Sequence, residues 1–180
     1  MNKNFLYAAA LVFLGITLFD KKKVIYDAIA EKYGSIKKVK FQSVERALKT
    51  LPISKKQLDF LMSQVLLETG FFSSNNKVFD LNNNASGIYY TGSEAQLKNG
   101  ATKGSPRPAK EGGNYAKFNS LNDWAKEYFR VLNRKSMPLD ANNIVDFGLR
   151  LKNNNYFTDS LETYQKNLNF FYNYLIKNGF

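Results

Sequence analysis

A chain of 180 residues with 44% apolar side chains is long enough for one domain with a real core and an extra segment. It has neither cysteine nor histidine, which excludes disulfides, thiolate or imidazole metal centres and the Ser-His and Cys-His nucleophile schemes, so acid–base chemistry falls to Asp, Glu, Lys or Tyr. The net charge of +11 suits a polyanion such as nucleic acid, an anionic membrane face or a bacterial wall. Nucleic acid is not expected, because there is no Arg-rich run, phosphate-binding glycine loop or RNA-binding aromatic signature.

Residues 5–19 are apolar, softened only at Gly15 and Thr17, and Lys21, Lys22 and Lys23 follow. The run is short of the ~20 residues that span a bilayer, but Val24, Ile25 and Tyr26 extend it if the lysine stems snorkel. Residues 1–22 are therefore expected to be an uncleaved N-terminal transmembrane anchor, with residues 23–180 as one domain. A cleaved signal peptide is the alternative; Asp20 and the lysines are not a small-residue cleavage site. A buried core helix is the outside choice. The lysines behind the run would hold the domain on the cytoplasmic side.

A helix is expected over 24–33, ended by Gly34, and another over 43–51, ended by Pro52. Ser54 and Gln57 have the spacing of a capping box. Leu58, Leu61, Met62, Val65 and Thr69 then follow helical spacing, with Phe60 and Leu67 on the other side, so this helix reads as central and buried nearly all round. Gly70 is its expected stop. Residues 75–114 are rich in Asn, Gly, Ser and Pro, and strand-like pieces at 87–91 and 115–118 are expected to pair antiparallel across a long, mobile connection. Helices resume over 121–133 behind a Ser120 cap, over 141–152, and in a long last one opened by Thr158 or Asp159, where Leu161, Tyr164, Leu168, Phe171 and Leu175 form a stripe. The expected class is α+β, mainly α, with a small antiparallel β element.

Glu68 stands in the last turn of the central helix, bordering Leu61 and Val65 and followed by Phe71 and Phe72. The negative end of the helix dipole and partial burial both disfavour its anion, so its pKa is expected to rise towards the range of a general acid. A solvent-facing Glu at a frayed helix end is the plainer reading of Glu-Thr-Gly alone. Trp124, on a helix, reads as core, while Tyr89, Tyr90, Tyr115 and Phe118 have faces suited to stacking on sugar rings. The asparagines at 82–84 suit turn geometry better than sugar contact.

The segments 64–70, 82–88 and 115–121 with Tyr128 resemble, in that order, the glucosaminidase family of peptidoglycan hydrolases, whose fold is lysozyme-like. The resemblance covers about residues 54–132. It implies Glu68 as the catalytic acid, Asn83, Asn84 and Gly87 as the turn opening the β lobe and its substrate contacts, and Tyr115 and Phe118 as cleft residues with Tyr89. Two departures stand out. Ala85 and Ser86 replace the family's apolar-Phe pair, and Phe118 stands where a Tyr is frequent, leaving Tyr115 or Tyr89 as substitutes for that phenol. Glu111, or Glu94, is the expected second carboxylate; otherwise the substrate's N-acetyl group is the nucleophile, or Glu68 acts alone as in lytic transglycosylases. The resemblance implies peptidoglycan glycan strands as partner, no metal or organic cofactor, and action in the periplasm, at the wall or from a virion membrane. A non-catalytic wall-binding or structural protein of the same fold is the alternative.

Overall fold

The computed structural model describes residues 35–73, 75–134, 137–178 and 180. The expected anchor and the helix over 24–33 lie outside the described residues. The described part is mainly helical with one two-stranded antiparallel sheet. Among the described residues no helix is long and apolar enough to cross a membrane.

Helix α1 runs Ser35–Leu48, eight residues earlier than expected at its start. Lys37, Lys38 and Lys40 disguise its first turns, yet Phe41, Val44, Ala47 and Leu48 form one buried face. Helix α2, Lys55–Glu68, begins at the expected capping box: Ser54 Oγ accepts from the Gln57 amide at 3.2 Å, and Gln57 Oε1 accepts from the Ser54 amide at 2.7 Å. Every residue from Leu58 to Leu66 is buried, which makes α2 the central helix.

The end of α2 is unusual. Gly70, Phe71 and Phe72 all have positive φ, at 55°, 57° and 53°. Left-handed backbone at a bulky residue costs about 1–3 kcal/mol. It is offset here by burial, since Phe71 packs on Phe171 and Tyr174 and Phe72 packs on Phe79, and a buried Phe contributes about 1.5–3 kcal/mol. Thr69 fixes the turn, donating to the Val65 carbonyl at 2.7 Å and accepting from the Phe72 amide at 3.1 Å. The reversal leaves Glu68 at the surface of the core rather than at a frayed end.

Two short helices, α3 (Val78–Asn82) and α4 (Glu94–Lys98), flank the sheet. Strand β1, Ala101–Pro106, pairs antiparallel with β2, Asn114–Phe118, in the register Ala101↔Phe118, with an irregularity between Lys103 and Pro106. This corrects the expected pairing. Residues 87–91 contribute only a Tyr89↔Tyr115 bridge, the Tyr90 amide bonding the Asn114 carbonyl and the Ala116 amide bonding the Ile88 carbonyl. Gly104, Ser105 and Pro106 look like a turn in sequence but stand in β1. Gly104 is needed there because a Cβ would sit 2.4 Å from Asn82 Oδ1 and 2.8 Å from the Tyr115 carbonyl. The connection over 92–114 is thus ordered by α4 and β1 and reduces to a turn over 107–113.

Helix α5, Leu121–Leu132, starts at Ser120 as expected. A 3-10 turn, Pro138–Asp140, precedes α6, Ile144–Asn153, whose cap is Asn143 rather than a start at 141. Helix α7, Leu161–Lys177, is capped by Ser160 rather than Thr158 or Asp159. α2 packs along α7, α7 against α6 and α1 against α5. Phe60 lies between Phe147 and Tyr172, and Trp124 stacks on Tyr128 at 5.3 Å in the core.

Candidate active site

A cleft of about 750 Å³ opens where the end of α2, the turn over 86–89, β2, α5 and the approach to α7 converge. Leu67 and Glu68 form part of its floor, Tyr115 and Tyr89 one side, Arg130, Val131 and Arg134 another, and residues 154–159 with Tyr164 the third. The turn over 107–113 contributes Arg107, Lys110 and Glu111. A second cavity of about 100 Å³ adjoins it, bordered by Glu68, Thr69, Asn76, Asn84, Gly87 and Tyr115.

Glu68 has its carboxyl pushed up from 4.5 to about 7, first by burial, against a smaller opposing effect from a hydrogen bond donated by Tyr164. That bond, to Oε1, is 2.9 Å. Tyr164 is held flat against Phe157, with ring centres 3.6 Å apart. Asn76 donates to the Glu68 carbonyl at 2.7 Å and so occupies part of the open end of α2. Tyr115 has its phenol raised by burial and by the charge of Glu111, so it stays protonated near neutrality and can donate.

The departures at 85–86 have a structural role. Ala85 is fully buried, and Ser86 Oγ accepts from the Trp124 indole at 2.9 Å while its carbonyl accepts from the Tyr156 hydroxyl at 2.8 Å. These bonds tie the turn over 86–89 to α5 and to residues 154–159 beside Glu68.

Other expected site residues are placed differently. Phe118 is fully buried and does not line the cleft. Tyr115 and Phe118 are three apart on a strand and so face opposite sides; Ala116 shares the core face with Phe118. Asn83 takes the left-handed conformation, at φ 48°, and donates to the Phe118 carbonyl at 3.0 Å. Asn84 is buried: its amide donates to the Ile88 and Ala116 carbonyls at 2.8 and 2.9 Å, and its oxygen accepts from the Ile88 amide at 3.0 Å. Both asparagines build the turn, and neither lines the main cleft. Gly87, at φ 65°, borders both cavities.

Glu111 lies at the cleft but is engaged by Arg107 at 2.7 Å, and Arg107 in turn lies 3.4 Å over the Tyr89 ring. Glu94 is exposed on α4 and Tyr90 packs on the core; neither lines the cleft. Glu127 is fully buried and held by Arg130 and Asn99. Asp159 is an exposed carboxylate on the cleft wall. Sequence reasoning missed Tyr156, Arg130, Arg134 and Asp159, and took Tyr164 only as a stripe residue; nothing local ties it to Glu68, which is 96 residues away. Among the described residues no group of three or more Asp or Glu side chains could hold a metal ion.

No protein-family model matches the chain, and no curated protein or solved structure matches it significantly. A carboxyl that titrates near neutrality, reachable from a cleft lined by aromatic side chains, can protonate the leaving oxygen of an acetal or ester.

Proposed function

We propose that this chain is a lysozyme-like glycoside hydrolase that cuts the glycan strand of peptidoglycan, with Glu68 protonating the oxygen that leaves the linkage between N-acetylglucosamine and N-acetylmuramic acid. The supporting observation is Glu68 itself, a carboxyl raised to about 7 at the floor of a 750 Å³ cleft. Tyr115 and Tyr89 border the cleft and suit a saccharide, Tyr89 once Arg107 leaves its ring, and Lys110 and Arg134 suit an anionic polymer. Glu111 is the candidate for activating water once substrate releases it from Arg107, with Tyr115 as the nearby phenol. In this reading residues 1–22 hold the enzyme at a membrane, so that it acts at the wall or in the periplasm, or is delivered on a virion membrane. A wall-binding protein without activity would gain nothing from a carboxyl placed where its ionised form is disfavoured.

Glu68→Gln keeps the shape and removes the acid. Turnover of purified sacculi should fall by about a hundredfold or more, in line with loss of a general acid. Mass spectrometry of the wild-type products should show new saccharide ends and so identify the bond cut. Unchanged lysis by the variant would overturn the proposal.

A further inference from the structure

Gln64 and Glu68 stand one turn apart on α2, and Tyr164 from the first turn of α7 joins their side chains. Gln64 Nε2 donates to Tyr164 Oη at 3.2 Å, and Tyr164 donates to Glu68 Oε1 at 2.9 Å. Tyr128 of α5 donates its hydroxyl to Gln64 Oε1. Gln64 and Tyr128 are fully buried and neither lines the cleft.

This chain of hydrogen bonds has a direction. An amide nitrogen only donates, so the Tyr164 oxygen accepts from Gln64 and its hydrogen goes to Glu68. A carboxylic acid that accepts at Oε1 carries its own proton on Oε2. Reversal would have Glu68 donate to Tyr164, Tyr164 to Gln64 Oε1, and Gln64 Nε2 to Tyr128. The Tyr128 hydroxyl has no second acceptor among the described residues, so reversal strands a buried O–H.

Resting on the reading of Glu68 as the acid, we propose that Tyr128 and Gln64 are positioning residues that act through Tyr164, holding the direction of the chain so that the Glu68 proton stays on Oε2, where substrate can take it. The titratable groups that interact with Glu68 are phenols: Tyr115 of β2, Tyr156 before α7, Tyr164 and Tyr128. Burial raises all four, so none changes charge near neutrality and the carboxyl titrates against a constant background.

Tyr128→Phe removes one oxygen from the core and frees the Gln64 amide to turn over. Tyr164 can then donate to Gln64 and accept from Glu68, which turns the acid's proton inward. The test is carboxyl-carbon NMR of the full-length chain labelled at Glu, with the Glu68 signal assigned by its loss in Glu68→Gln. Tyr128→Phe and Gln64→Met should each raise the Glu68 midpoint by roughly half a pH unit or more, because the neutral acid becomes free to donate to Tyr164 while the anion keeps Tyr164 as donor without the Gln64 amide aimed at its oxygen. Tyr128→Phe should add nothing in the Gln64→Met background, since it acts only through that amide. On sacculi, kcat should fall about tenfold with KM held, as expected for a misdirected acid. An unchanged midpoint in both single variants with native near-ultraviolet dichroism would overturn the proposal, and so would additive shifts. The expected shifts in a protein that does not cut sacculi would support the chain of hydrogen bonds and remove the hydrolase reading instead.

Discussion

Glu68→Gln should make the protein more stable at neutral and alkaline pH. Burial raises the Glu68 pKa from 4.5 in the ordinary chain to about 7 in the fold. Below 4.5 both folded and unfolded states hold the proton, and the site costs nothing. As pH rises past 4.5 the unfolded chain ionises while the folded carboxyl does not, so stability falls through this window and the loss is complete once pH passes about 7. At about 1.4 kcal/mol per pH unit the gap corresponds to about 3 kcal/mol. The edge of Glu68 that meets cleft water screens part of this, leaving about 2–3 kcal/mol. Glutamine cannot ionise. The stability difference between variant and wild type should therefore be flat near pH 4 and widen by about 2–3 kcal/mol by pH 8, in favour of the variant. Urea unfolding followed by fluorescence of Trp124, the single tryptophan and fully buried, reads this directly. In thermal melts the same gap is about 5–10 °C for a domain of this size. Parallel pH curves for the two proteins would refute the reasoning.

Asn84→Ala should destabilise the fold by about 2–4 kcal/mol, because the Ile88 amide loses its acceptor and the Ile88 and Ala116 carbonyls each lose a buried donor. Full stability with a raised KM would instead make Asn84 a substrate contact. Arg107→Ala frees Glu111 and uncovers Tyr89; the Arg107 side chain is largely covered while Glu111 is more open, so stability should fall by about 1 kcal/mol while KM for sacculi changes severalfold. Identical KM would mean that the turn over 107–113 takes no part in binding.

What the sequence determined by itself is what short-range physics dictates. The capping box at Ser54 and Gln57, the apolar spacing through Val65 and the stop at Gly70 specify α2 and put Glu68 at its end, because caps and helical periods act within a few residues. The absence of His and Cys narrowed the chemistry without any structure. The core place of Trp124 followed from its setting on a helix. The strand partner was not legible, since Gly104 and Pro106 carry turn signals and only the close approach of Asn82 and Tyr115 explains a glycine in β1. Strand alternation puts Tyr115 and Phe118 on opposite faces of β2, so a cleft that takes Tyr115 leaves Phe118 to the core. The start of α1 was hidden by lysines that leave only every third or fourth residue to mark its buried face. The acidity of Glu68 belongs to the tertiary structure. The sequence placed Glu68 at a helix end among apolar neighbours, but the rise comes from desolvation, and the side chains that remove the water and fix the proton arrive from elsewhere: Tyr164 and Tyr156 from the far end of the chain and Tyr115 from the sheet. Burial depends on which distant segments pack together, and no local pattern encodes that.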